Sequence, residues 1–312
     1  MGRTAFVFPG QGSQEVGMLA DLLGEHSLVA DTFTEASEAL GYDLRALVSG
    51  GPEEKLIQTE FTQPAILTSS IAIWRLFVDA ASPTPCIVAG HSLGEYSALV
   101  AAGVLTFADA VRLVQKRGQF MQTAVPVGEG SMAAILGLED DQVIGICDEI
   151  STDTGIVQAA NFNAPGQLVI AGHAGAVNLA IVACQDAGAR RAMALPVSAP
   201  FHSALMKPAA LNLSAELDKV AFNAPQIRVI QNVDAEFHED PDKIRQNLVD
   251  QMDSAVLWTD TIRRILLEGV TETIECGPGK VLAGLAKRID KSVKTMAANS
   301  VPTVASTIEA LA

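Results

Sequence analysis

Cys86-Ile87-Val88-Ala89-Gly90-His91-Ser92-Leu93-Gly94-Glu95-Tyr96-Ser97-Ala98-Leu99-Val100-Ala101-Ala102 is the stretch whose reading decides the fold. Its first four residues are apolar and partly β-branched, as a buried parallel strand requires. Residues 95–102 are rich in Ala and Leu, good helix formers, and the run closes at Gly103. Between the two lies Gly90-His91-Ser92-Leu93-Gly94, a Gly-x-Ser-x-Gly sequence. Strand, tight turn and helix in that order predict a nucleophile elbow. The glycines flank a turn too tight for side chains and push the Ser92 Oγ out above the sheet edge. The same turn puts the Leu93 backbone N–H where an oxyanion can form.

Outward from the elbow, residues 4–8 read as a first strand, followed by the turn Pro9-Gly10-Gln11-Gly12-Ser13-Gln14. Helical patterns cover residues 28–40, 64–79, 95–102 and 106–123, and strands recur near 228–232 and 273–275. Strands alternating with helices predict a parallel sheet covered by helices. At Val125-Pro126-Val127-Gly128-Glu129-Gly130, the best linker of the chain, the grammar changes. Residues 131–138 read as strand and 139–150 as helix. A strand pair follows, 155–161 and 167–171, joined by residues 162–166. A helix at 174–187 and a strand at 191–197 complete the unit. This β-α-β-β-α-β order is the ferredoxin-like pattern. The expected fold is therefore α/β: a parallel-sheet, α/β-hydrolase-like core of residues 1–127 and 198–312, with an inserted ferredoxin-like small domain at 128–197.

A chain of 312 residues can bury about three quarters of its unfolded surface. No run of about 18 apolar residues offers a membrane span, and the N-terminus reads as a core strand rather than a signal peptide. Cys86, Cys147, Cys184 and Cys276 are far apart with no Cys-x-x-Cys, which predicts reduced core thiols, no metal site and a cytoplasmic location. The net charge of −15 opposes nucleic acid and anionic membranes. Against that background the basic run Lys287-Arg288-Ile289-Asp290-Lys291-Ser292-Val293-Lys294 reads either as a solvated helix face or as a landing site for an acidic or phosphate-bearing partner.

A serine hydroxyl needs a base within hydrogen-bond reach. His26 and His238 sit in polar, surface-like stretches, His173 opens a helix of the small domain, and His91 points away from Ser92 on a sharp turn. His202, in Pro200-Phe201-His202, lies where the chain returns to the core, and clefts form at such junctions. Gly10-Gln11-Gly12 reads as a strand-to-helix turn. The dinucleotide spacing Gly-x-Gly-x-x-Gly fails because position 15 is Glu15.

Seven motifs occur in order: Phe8-Pro9-Gly10-Gln11-Gly12-Ser13-Gln14, Gly90-His91-Ser92-Leu93-Gly94-Glu95, Gln115-Lys116-Arg117-Gly118, Asn161-Phe162-Asn163, Pro200-Phe201-His202, Gln231-Asn232-Val233 and Glu275-Cys276-Gly277-Pro278-Gly279. Together they resemble the malonyl-CoA:acyl carrier protein transacylases of bacterial fatty-acid synthesis, over about residues 4–290. The resemblance implies that Ser92 accepts the acyl group and that His202 is its base. It implies that the main-chain carbonyl of Gln251, rather than Asp234 or Asp250, orients the histidine. It implies an oxyanion hole from the N–H groups of Gln11 and Leu93, and a malonyl carboxylate held by Arg117 beside Met121, Phe201 and Asn161. A guanidinium fork fits a carboxylate as a lysine cannot. Phe201 would crowd the space beside the malonyl methylene, in agreement with malonyl rather than methylmalonyl; several relatives carry Ser there, so this position departs from the family's pattern and does not fix the finer selectivity.

The implied partners are malonyl-CoA and an acidic acyl carrier protein, met at Lys287, Arg288, Arg190 and Arg191, by a monomer without a cofactor. Three rivals stand beside this reading. A serine esterase or thioesterase would share the elbow but has no use for Arg117. A catalytically silent carrier-binding subunit would be expected to have lost Ser92, His202 or Arg117. The same transfer could also serve a polyketide pathway in trans.

Overall fold

The computed structural model describes residues 3–197 and 199–312. Nine strands occur among them: β1 (Arg3–Phe8), β2 (Ile87–Gly90), β3 (Gly130–Leu136), β4 (Val157–Ala164), β5 (Gln167–His173), β6 (Arg191–Ala194), β7 (Arg228–Ile230), β8 (Val270–Cys276) and β9 (Lys294–Ala298). Five of them form one parallel sheet in the order β7-β2-β1-β8-β9. A parallel strand is covered on both faces, and β1 shows why residues 5–8 are apolar without a break. Phe6 and Phe8 enter one core cluster with the helices Ser27–Leu40, Thr59–Asp79, Gly94–Ala101 and Phe107–Thr123. Ala5 and Val7 point to the opposite face and pack with Trp258, Ile262 and Leu285.

After the helix Phe107–Thr123 the chain builds a second, antiparallel sheet in the order β4-β5-β3-β6. The helices Asp140–Ile150 and Ala174–Asp186 cover one of its faces, over Ala133, Ile135, Leu168 and Ile170. The other face presents Met132, Val169 and Ala171 to the main core cluster. Two backbone bonds tie β4 to the core directly: Phe162 N–H donates to the Val256 carbonyl at 2.9 Å, and Val256 N–H to that of Ala160 at 2.9 Å. A cleft therefore lies between the carboxyl ends of β1 and β2 and the inner face of the small sheet, the usual place for a ligand in an open α/β sheet.

Several boundaries differ from expectation. The joint between β4 and β5 is only Pro165-Gly166, because β4 continues to Ala164 through two register shifts. β6 ends at Ala194, just before Pro196, which cannot donate to a ladder. β7 stops at Ile230 because the N–H of Asn232 goes to the Glu95 carboxylate at 2.8 Å instead of a neighbouring strand. The helix expected from Pro64 begins at Thr59 and takes the proline inside its early turns. The expected core limits at residues 1 and 198 fall outside the described residues. Among the described residues no helix is long and apolar enough to cross a membrane. Cys147, Cys184 and Cys276 are buried free thiols, and Cys86 is half-buried.

Candidate active site

The elbow has the strained backbone its sequence demands. Ser92 adopts φ 51°, a left-handed conformation that costs a non-glycine residue roughly 1–3 kcal/mol. A Cβ on Gly90 would overlap the backbone of Gly94, and one on Gly94 would overlap the Phe8 carbonyl at the end of β1. The turn can form only with glycine at both places. His91 N–H donates to the Phe8 carbonyl at 3.0 Å, and Asn232 pins the turn twice. Its Nδ2 donates to the Gly90 carbonyl at 2.7 Å, and its Oδ1 accepts the Ser92 N–H at 2.6 Å.

His202 reaches Ser92 as expected, with Nε2 2.7 Å from Oγ. Its own φ is 59°. The other ring nitrogen, Nδ1, lies 2.8 Å from the main-chain carbonyl of Gln251. A carbonyl can only accept, so Nδ1 carries the proton and Nε2 is left to accept one from Ser92. Gln251 is the C-cap of the helix Pro241–Asp250. Its carbonyl is among those a helix end leaves without an intrahelical partner, and it sits at the negative end of the macrodipole. That is why a carbonyl serves here in place of a carboxylate. The two expected outsiders are engaged elsewhere: Asp234 with His238 at 2.8 Å, and Asp250 with Gln246 at 2.8 Å.

Arg117 is buried in the same place. Its helix presents Ala110, Val111, Val114, Arg117, Gly118 and Met121 inward, so the arginine sits in the apolar stripe. Gly118 lets this helix approach closely, because a Cβ there would lie 2.7 Å from the Thr59 carbonyl oxygen and the Glu60 Cα. The guanidinium donates from Nη2 to Ser92 Oγ at 3.1 Å and to Gln251 Oε1 at 2.8 Å, and from Nη1 to Gln63 Oε1 at 3.0 Å. Its carbon stands 5.5 Å from the Tyr96 ring centroid. Burial pushes the His202 pKa down to about 3, and the neighbouring Arg117 charge adds to the depression. The imidazole is neutral, as a base must be.

A cavity of about 900 Å³ opens onto these groups, lined among others by Gln11, Leu93, Met121, Asn161 and Phe201. The Leu93 N–H heads the helix Gly94–Ala101, and neither it nor the Gln11 N–H has a protein acceptor among the described residues. Every residue expected at the catalytic and acyl-binding positions is therefore brought together. Lys287, Arg288, Arg190 and Arg191 are not; they lie exposed on the surface. Arg288 donates to Gln167 Oε1 at 2.7 Å, and Gln167 lines a smaller side cavity that shares Gln11, Gly12, His91 and Asn163 with the main one.

Sequence reasoning passed over Gln63, Glu95, Asn232 and the Asn163 contact of His91, whose Nε2 lies 2.8 Å from Asn163 Oδ1. Glu95 carried a readable signal, a lone acid in an otherwise apolar helix. Asn232 carried none beyond its motif, since its role depends on where β7 ends.

The acyl transferase domain family matches residues 5–308 of this chain. The malonyl CoA-acyl carrier protein transacylase of Escherichia coli (strain K12) is 52% identical over 309 residues, 99% of this chain and 100% of that protein. The solved structure of an acyl carrier protein S-malonyltransferase from Vibrio cholerae superimposes with a TM-score of 0.96 at 53% identity, over 98% of this chain and 99% of that one. A second, of a type II PKS acyl-carrier protein in complex with its malonyl-transacylase, matches with a TM-score of 0.97 at 49% identity, over 99% of both chains. With the Ser–His pair, the buried arginine and the full-length match in agreement, the chain belongs to the acyl transferase family, among the malonyl CoA-acyl carrier protein transacylases.

Proposed function

We propose that this enzyme transfers the malonyl group of malonyl-CoA to the phosphopantetheine thiol of an acyl carrier protein, supplying extender units for fatty-acid synthesis. The observation that carries this reading is the buried Arg117 guanidinium 3.1 Å from the Ser92 hydroxyl, where it can hold the free carboxylate of a diacid while its thioester meets the nucleophile. Ser92 Oγ attacks the thioester carbonyl as its proton passes to His202 Nε2. The resulting oxyanion faces the N–H groups of Leu93 and Gln11. Collapse expels the coenzyme A thiolate, which takes the proton from His202, and leaves a malonyl-serine ester. The carrier thiol then repeats the sequence in reverse, giving ping-pong kinetics with no cofactor required by the chemistry. Leu93, Met121 and Phe201 keep the surroundings of the ester apolar, which disfavours water.

Intact-protein mass after brief mixing with malonyl-CoA tests the scheme. A malonyl-sized adduct is expected on the wild type and absent from Ser92→Ala. Free malonate without an adduct points to a hydrolase and rejects transfer. The same chemistry in a polyketide pathway is a second reading, favoured by the relative solved with a type II PKS acyl-carrier protein.

The strand order β4-β5-β3-β6 and its β-α-β-β-α-β sequence support reading the small unit, about residues 128–197, as a ferredoxin-like insertion in an α/β-hydrolase-like core. The enzyme works as a cytoplasmic monomer, with neither nucleic acid nor membrane as a partner. The carrier docks at Lys287, Arg288, Arg190 and Arg191. Register supports one patch: Arg191 and Gln167 both pair with Leu136, which sets them about 10 Å apart, and Gln167 holds Arg288. Reversing Lys287 and Arg288 to Glu should raise KM for the carrier roughly tenfold and leave acylation by malonyl-CoA unchanged. An unchanged carrier KM moves the docking site elsewhere.

A further inference from the structure

We propose that Glu95 is a positioning residue for the transfer, orienting Gln251 and Asn232 and, through Gln251, holding Arg117 in register with Ser92. The proposal rests on the malonyl-transfer reading above and adds to it a carboxylate that touches neither substrate nor nucleophile.

Glu95 lies in the first turn of the helix Gly94–Ala101 and is fully buried. A buried carboxylate is expensive unless its oxygens are satisfied, and here both are. Oε1 accepts from Gln231 Nε2 at 3.0 Å. Oε2 accepts from the Asn232 N–H at 2.8 Å and from Gln251 Nε2 at 3.0 Å. All three partners are donors, so only the ionised form completes the set. The mechanism above makes no use of this group.

Its effect on Gln251 follows from amide geometry. With Nε2 directed at Glu95 and at the Ser92 carbonyl, 3.2 Å away, Oε1 faces Arg117 Nη2. Turning the amide over would set its NH₂ against the guanidinium and its oxygen against the carboxylate. The charge at position 95 thus decides which end of Gln251 the arginine meets. The effect on Asn232 is parallel: the backbone bond to Glu95 fixes the residue whose side chain grips the Ser92 N–H and the Gly90 carbonyl.

The charged and titratable groups facing Glu95 are Arg117, from the helix Phe107–Thr123, and Tyr96 on its own helix; Gln231, Asn232 and Gln251 are neutral. Burial pushes the Glu95 pKa up to about 7, while the three donors and Arg117 pull the other way. Protonation as pH falls through this value inserts an O–H among donors and removes the charge that balances Arg117. Acylation by malonyl-CoA should therefore weaken on the acid side of about pH 7. His202, held far lower, is not the source of that limb.

The test compares wild type, Glu95→Gln and Glu95→Asp by single-turnover acylation with malonyl-CoA and acetyl-CoA between about pH 5.5 and 9, with folding checked by circular dichroism. Glu95→Gln brings an NH₂ group into a pocket of donors. Its malonyl kcat/KM should fall roughly 10–100-fold, the acetyl value less, and its acid limb should vanish. Glu95→Asp should keep a limb at a shifted pH. A folded Glu95→Gln with wild-type selectivity and an unmoved limb overturns the proposal, as does a wild type with no limb in this range. If Glu95→Gln does not fold, an unmoved limb in Glu95→Asp overturns it equally. A wild type that takes no malonyl group at any pH refutes the transfer reading instead; one that is acylated while the variants behave alike refutes only the role of Glu95.

Discussion

His202→Ala is expected to slow acylation of Ser92 by malonyl-CoA roughly 10³–10⁵-fold. The magnitude follows from what the geometry leaves behind. Without the imidazole, nothing accepts the Ser92 proton at 2.7 Å. Arg117 cannot substitute, because it only donates. Residual rate must come from the oxyanion donors, the arginine and proximity, which persist. The substitution also strands the Gln251 carbonyl that His202 Nδ1 occupied, a loss of about 1–3 kcal/mol in stability. Thermal unfolding should therefore accompany the rate measurement. Rapid-quench mass spectrometry of the folded variant decides the matter. An acylation rate within tenfold of wild type would mean that His202 is not the base.

Arg117→Ala carries the second large effect, on selectivity. Removing one partner of a buried, hydrogen-bonded charge pair costs about 3–4 kcal/mol, so the malonyl kcat/KM should fall roughly 10²–10³-fold. Acetyl-CoA has no carboxylate to lose, and two changes offset each other for it. The donor to Ser92 Oγ disappears, while the cation that helps depress His202 also goes, which raises its basicity. The acetyl rate should stay within a few-fold of wild type, and the ratio of malonyl to acetyl acylation should collapse. The variant also leaves Glu95 without its balancing charge, so the Glu95 pKa rises further. Competition between the two thioesters, read by adduct mass, measures the ratio directly. If the variant keeps the wild-type preference for malonyl, the guanidinium does not hold the carboxylate.

The two predictions show how differently the residues could be read beforehand. Ser92 is the most legible, because Gly90 and Gly94 at that spacing, with a strand before and a helix after, favour a nucleophile elbow over an ordinary glycine-rich turn. Arg117 is legible in part. Only its place in the motif Gln115-Lys116-Arg117-Gly118 singles it out; that it lies in the buried stripe with Ala110, Val114, Gly118 and Met121 is a finding of the structure. Gln251 is the opposite case. Its part in orienting His202 belongs to a main-chain carbonyl freed by the end of a helix, and for that part any side chain at the position could present the same oxygen.

By itself the sequence determined the alternation that makes a parallel sheet, the strand–elbow–helix that carries the nucleophile, the β-α-β-β-α-β order of the small unit, and the ordered motifs that mark the family. These depend on local spacing: period two or 3.6, glycines at a turn, an acid or serine before a helix. Only the tertiary structure decided the strand order β7-β2-β1-β8-β9, the early end of β7 that frees Asn232 for the elbow, and the network joining Glu95, Gln251 and Arg117. Those contacts join residues as far apart as 134 and 156 positions in the chain. No periodicity spans such distances, and a buried polar atom takes whichever partner the packing brings within about 3 Å.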